Sequence, residues 1–314
     1  MVKRLILAGL VLGHAASAAA DPITSQHERW ERLTYQVYGF YQQGNYAEAA
    51  SLAEEALRAA TELFGTDHPN TAICMNNLAQ VYVHQQRVPE AEKLFIRALE
   101  IDEARQGREH PDVAADLNNL GALYYQEQKP LMTQAVLKRA LGILLGQQPQ
   151  NAEAIIQAMN ALGDAALALS HGTAAESWYR QAKDRTEQAY GADHPRVAES
   201  YIRLAHWEQS EGRTIEAEAL YQQAIQLLEH RFGPDNALEA VPLGELALLY
   251  KSLAEFDKAE PLMRRALTLL SRTLGPTHPD LRKPLEQYAD VLRLAGRREE
   301  AEVFEARAKA LDAF

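Results

Sequence analysis

One spacing constrains this chain more than any other. Alanine recurs at Ala56, Ala98, Ala140, Ala182, Ala224, Ala266 and Ala308, each 42 residues after the last. His-Pro keeps the same period at His68-Pro69, His110-Pro111, His194-Pro195 and His278-Pro279, separated by 42, 84 and 84 residues. The skipped registers hold Ala152-Glu153 and Asn236-Ala237. Glycine follows at Gly65, Gly107, Gly191, Gly233 and Gly275, with Pro149 in the missing slot. A period held through seven registers marks a repeat array rather than one closed core.

Each unit reads as two amphipathic helices. Leu78, Val81 and Tyr82 recur at three and four, and Ala91, Leu94, Phe95, Ala98 and Leu99 do so in the second half. Proline after histidine suits a first helical turn, where its missing N–H would have no partner anyway. Gly65 and its equivalents supply the positive φ that ends a helix. Gly44, Gly212 and Gly296 share one register in the turn between paired helices. Strand patterns are absent, so the expected fold class is all-α.

The residues carry a family resemblance. Leu78-Ala79-x-x-Tyr82 followed by Ala91-x-x-x-Phe95 and Ala98 resembles the tetratricopeptide repeat, as do Leu120-Gly121-x-x-Tyr124, Leu246-Ala247-x-x-Tyr250 with Ala259, and Ala175-x-x-x-Tyr179. The 42-residue spacing, the His-Pro start, and Asn76-Asn77-Leu78 and Asn118-Asn119-Leu120 are more specifically similar to the kinesin light chain subclass. The resemblance implies a right-handed superhelical solenoid of stacked antiparallel helix pairs, with first helices lining a concave face. The expected organisation is a leader at 1–20, a short linker at 21–27, and pairs at 28–67, 68–109, 110–151, 152–193, 194–235, 236–277 and 278–314. The alanine-rich fourth pair and the Gly146–Gln150 stretch before it suggest a soft joint at 146–153. Gln36-Val37 in place of Leu-Gly marks a capping unit. Thr133 stands where small alanine is expected, and Glu208 where tyrosine is expected.

Two groups of residues are candidates for binding. Asn76, Asn77, Asn118, Asn119 and Asn160 fall in matched registers of first helices, although asparagine is a poor helix-interior residue. An amide both donates and accepts and can pair with a peptide backbone of any sequence. The resemblance implies that this register faces the groove; pairing between neighbouring repeats is the alternative. Tyr125 adds an apolar contact there or packs into the next repeat. Lys283 and Arg293, near Arg297 and Arg298, could receive a partner carboxylate. Glu299, Glu300 and Glu302 follow directly, as they would on a solvated face.

The start of the chain reads as an address. Met1-Val-Lys-Arg is basic, Leu5–Gly13 is apolar, and small residues precede Asp21. That is the layout of a secretory signal peptide cleaved after Ala20 or Ala18. The apolar run is too short to span a bilayer, which takes about 20 residues. The expected location is therefore periplasmic or secreted, with no membrane span after cleavage.

A formal charge of -11 disfavours nucleic acid. The single cysteine, Cys74, excludes an internal disulfide or a cysteine-cluster metal site, and the His-Pro histidines lie in different repeats, too far apart to share an ion. No HExxH, GxSxG, P-loop or GxGxxG motif occurs, so neither catalysis nor a cofactor or metal is expected. The function expected is an exported adaptor that binds a protein or peptide in its groove. The alternative is a structural subunit docking by its convex face or end repeat. A hydrolase or small-ligand regulator stands behind both.

Overall fold

The computed structural model describes residues 22–146 and 151–311. The expected leader at 1–20 and residues 147–150, half of the expected joint at 146–153, lie outside them. Every regular element among these residues is helical. The helices are α1 (Pro22–Gln42), α2 (Tyr46–Phe64), α3 (Pro69–His84), α4 (Val88–Gln106), α5 (Pro111–Gln126), α6 (Pro130–Leu145), α7 (Ala152–Ala168), α8 (Gly172–Tyr190), α9 (Pro195–Ser210), α10 (Thr214–Phe232), α11 (Ala240–Ser252), α12 (Phe256–Leu274), α13 (Arg282–Leu294) and α14 (Arg298–Ala310). Short 3-10 turns at Ala237–Glu239 and Pro279–Leu281 lead into α11 and α13. Residues 22–27, expected as a linker, instead form the first turns of α1, because Pro22 fits the first helical position.

The chain divides into two compact units, one ending at Leu169 and the other beginning at Ser170. In the first unit, α1 packs on α2, α3 on α4 and α5 on α6, and α2, α4 and α6 each contact the helix that follows. The second unit repeats this through α9/α10, α11/α12 and α13/α14.

The 42-residue alanine sits at the centre of this packing. Ala98, Ala140, Ala182 and Ala224 are 0% exposed, and Ala56, Ala266 and Ala308 no more than 3%. Only a methyl group fits where two helices approach so closely. A second register, at Phe95, Leu137, Tyr179, Tyr221 and Met263, supplies a large buried side chain in the five middle pairs, with Ala53 and Glu305 in its place in the first and last. Burying each large side chain is worth about 1.5–3 kcal/mol.

The histidines start helices. The Nδ1 atoms of His68, His110, His194 and His278 accept the backbone N–H two residues on, at 3.1–3.3 Å. Where the motif is missing, Asn236 takes over: its side chain accepts from the Leu238 N–H at 3.1 Å, and Glu239 accepts from the Asn236 N–H at 3.2 Å. This reciprocal box satisfies the same orphan donors by another route.

The turns between paired helices need a left-handed residue. Gly44, Gly212 and Gly296 provide it, and Gln86, Gln128, Ser170 and Ala254 adopt φ of 54–61° in the same register. The departures from the repeat pattern are also accommodated. Thr133 is fully buried, with its hydroxyl donating to the Lys129 carbonyl at 3.1 Å. Glu208 pairs with Arg213, whose guanidinium lies 4.3 Å from the Trp207 ring centre.

Candidate functional site

The first helices of the first unit touch in sequence, α1 to α3, α3 to α5 and α5 to α7, and so form one layer. Residues at 42-residue spacing fall in rows across it. One row runs Tyr35, Asn77, Asn119; another runs Tyr38, Gln80, Ala122. Tyr35 is 63% exposed, and Tyr38, Ile73 and Tyr125 are also exposed. Helix α3 carries no Asp, Glu, Lys or Arg along its length. At α3 the layer therefore offers neutral amides beside the exposed tyrosines of α1, groups that meet a peptide without desolvating a charge, while charged side chains lie on α1, α5 and α7.

The predicted asparagines occupy distinct environments. The Asn76 amide donates to Asp116 Oδ1 at 2.6 Å, so it holds α3 to α5. Its own Oδ1, and those of Asn118 and Asn160, are shielded from solvent without a hydrogen-bond partner. Asn77 is half-buried and Asn119 is buried. The feature that composition and spacing did not reveal is Asp116, whose contact with Asn76 lies 40 residues away along the chain. Its register is occupied by Cys74 one repeat earlier and Ala158 one later, so no pattern flags it.

Cys74 is held in the core, where the Trp30 indole N–H donates to its Sγ at 3.1 Å. Burial pushes its thiol up to about 11, and an un-ionised thiol is a poor nucleophile.

The second unit presents a charged counterpart. His206 Nε2 lies 3.1 Å from Glu245 Oε2, joining α9 to α11, and Lys251 Nζ lies 3.4 Å from Asp290 Oδ2, joining α11 to α13. Lys283 and Arg293 are both exposed on α13. Ten residues of helix separate them by about 15 Å, so they do not form one site. Arg293 is already held by Asp290, at 2.8 Å, and by Glu305. Arg297 is likewise bound at 2.6 Å to both oxygens of Glu300.

Among the described residues, no group of three or more His, Cys, Asp or Glu side chains is arranged to hold a metal ion. No helix among them is long and apolar enough to cross a membrane.

Comparison with solved structures agrees with this architecture. BtubC (BKLC) from P. vanneervenii superposes with a TM-score of 0.57 at 19% identity, covering 73% of this chain and 91% of that one. A kinesin light chain-type protein of Podosopora anserina with nearly identical TPR-like repeats gives 0.59 at 20%, covering 68% and 98%. A tetratricopeptide repeat protein from Parabacteroides merdae gives 0.60 at 18%, covering 90% and 93%. No curated protein matches the sequence. The tetratricopeptide repeat signature matches residues 38–88, 75–146, 154–230, 198–270 and 238–312. That repeat is a general scaffold for protein–protein interaction, and with matches across most of its length this chain belongs to the tetratricopeptide repeat family.

Proposed function

We propose that the protein is an exported scaffold that holds a peptide or extended partner segment against the first-helix layer of its first unit. The observation that carries this reading is the uncharged stretch that α3 forms within that layer. Tyr35, Tyr38 and Ile73 are exposed beside half-buried Asn77, and no Asp, Glu, Lys or Arg lies on α3. A preformed surface of stacked helices costs little ordering on binding, and the affinity is spread over several repeats. Export rests on the basic start, apolar run and small-residue site of residues 1–20. On this reading the protein works in the periplasm without a cofactor and carries no catalytic group.

The test is capture of partners from periplasmic extract by the mature chain and by the triple variant Asn77→Ala, Asn118→Ala, Asn119→Ala. Asn76 is left in place because its amide holds Asp116. Circular dichroism first establishes equal helix content. Capture is expected to fall at least tenfold in the variant, roughly 1.4 kcal/mol. Full capture by the variant refutes the layer as the binding surface and favours docking by another face or an end repeat.

A further inference from the structure

At the junction of α4 and α5, two acids occupy positions that are uncharged in every neighbouring repeat. Asp102 and Asp116 are 3% and 1% exposed. One repeat earlier the same registers hold Ala60 and Cys74, and one later Leu144 and Ala158, all buried. The fold does not need carboxyl groups there. Asp116 Oδ2 is shielded from solvent without a hydrogen-bond donor, and the Asp102 carboxyl is the acid that acts on it as a hydrogen-bonding neighbour. Gln106 Nε2 donates to Asp102 Oδ1 at 3.0 Å, while Asn76 Nδ2 donates to Asp116 Oδ1 at 2.6 Å.

Neither acid belongs to an ion pair among the described residues. Asp112 and His110, at the start of α5, are the other titratable groups that act on them. Helix α3 presents the neutral Asn76 amide. On α6, Arg139 is taken by Glu103, and Lys138 is exposed. On α7, Glu153 accepts from Gln157 at 2.7 Å, and Asp164 lies two turns further along that helix. Among the described residues no Lys or Arg pairs with either acid, and His110 offsets Asp102 only as the smallest of the influences on it.

We propose that Asp102 and Asp116 share a single proton, and that this acid pair is a pH-sensitive fastening between the second and third helix pairs. Two carboxylates in contact cannot both stay ionised in a dry site, so one keeps its proton and donates it to the other. The pair then carries one negative charge, spread over oxygens that the Gln106 and Asn76 amides also approach. Burial, ahead of the neighbouring Asp102, pushes Asp116 up to about 8, and burial raises Asp102 as well. The sign follows directly. An unfolded aspartate loses its proton near pH 3.9, whereas folded Asp116 keeps it until about 8. The fastening is thus fully present below about pH 4 and is lost as pH rises toward 8. Above that, both acids are charged and the junction loosens. Asn76, on the proposed binding layer, is the first residue to feel the change.

The test is the side-chain carboxyl titration of Asp116, followed by NMR in the full chain. A midpoint near 8 is expected. In the Asp102→Asn variant that midpoint should fall, because the neighbouring negative charge is gone. A wild-type midpoint near the ordinary 4, or one unmoved in Asp102→Asn, refutes the shared proton. A midpoint brought down to that range by calcium refutes it too, in favour of a bound cation. Urea unfolding supplies the second reading. Relative to Asp116→Asn, the wild-type unfolding constant is expected to rise by up to about tenfold per pH unit between about 4 and 8. Should Asp116→Asn fail to fold, Asp102→Leu with Asp116→Ala, which copies the next repeat, replaces it. Parallel pH curves for wild type and variant overturn the proposal.

Discussion

The first helices of the two units share a repeat pattern and differ in what they show to solvent. In α3 the side chains beyond the core are amides, apolar groups and one histidine, with no Asp, Glu, Lys or Arg. In α13 the corresponding surface carries Arg282, Lys283, Glu286, Asp290 and Arg293. Its two arginines are spent on the chain's own acids, Arg282 with Glu286 at 3.0 Å and Arg293 with Asp290 at 2.8 Å. The contrast separates two demands on one helix. Packing specifies the buried registers in both units, where Leu78, Leu120, Leu204 and Leu246 recur at multiples of 42. The solvent-facing registers are free to vary, and they vary by charge. Exposed ion pairs are worth about 0–1 kcal/mol each, so the charges of α13 concern solubility and partners more than stability.

If the units differ only at the surface, their interiors should respond alike to damage. Phe95→Ala and Tyr221→Ala empty the same register, one in each unit, and each is expected to cost about 3–5 kcal/mol. Chemical denaturation of the two variants measures this. A large gap between them would break the comparison, since beyond apolar packing Tyr221 adds a 3.4 Å hydroxyl contact with Gln209 and an edge contact with the His206 ring at 5.9 Å.

A smaller effect separates repeats within the first unit. Gly121 shares a register with Ala79 and Ala247, yet a methyl group on Gly121 would lie 2.5 Å from Leu137 Cδ2 and 2.7 Å from its Cγ. Gly121→Ala should therefore destabilise by about 1–3 kcal/mol, although alanine is the better helix former. A stabilising result in thermal melts would mean that Leu137 swings aside.

The smallest effect tests the turns. Gln86 and Ala254 hold φ of 61° and 59°, where L-residues are strained and glycine is not. Gln86→Gly and Ala254→Gly are each expected to raise stability by about 0.5–1 kcal/mol, less any gain in freedom of the unfolded chain. Equal gains in the two units would show that the turn geometry is independent of the surface each unit presents.

Much of this was legible in the residues, for definite reasons. The alanine register and the His-Pro starts depend on contacts within one repeat, and a period exposes such contacts directly. The cap at Asn236 was harder to see, because one backbone donor can be satisfied by a histidine ring or by an Asn–Glu box. The left-handed turn at Gln86 was hidden because only some repeats use glycine there. The asparagine ladder is where spacing ran out. Matched registers placed Asn76 and Asn118 together, but whether each amide meets a neighbour or an open surface depends on a residue 40 positions on. That residue is Asp116 for Asn76 and Ala158 for Asn118.

The reach of the tyrosine contacts has a consequence for how the chain assembles. Tyr82 and Tyr288 donate to glutamates 28 residues back, at 2.8 and 2.6 Å, and Tyr124 and Tyr250 to glutamates 32 back, at 2.9 and 2.7 Å. Each of these four tyrosines thus fastens its first helix to the second helix just completed. As the polypeptide leaves the ribosome, a helix meets its fastening partner within about one repeat of synthesis. Short-range topology of this kind favours fast folding that spreads from any nucleus. On the proposed export, a chain threaded through a channel as an extended strand would rebuild itself on the far side in the same order, without waiting for its last residue.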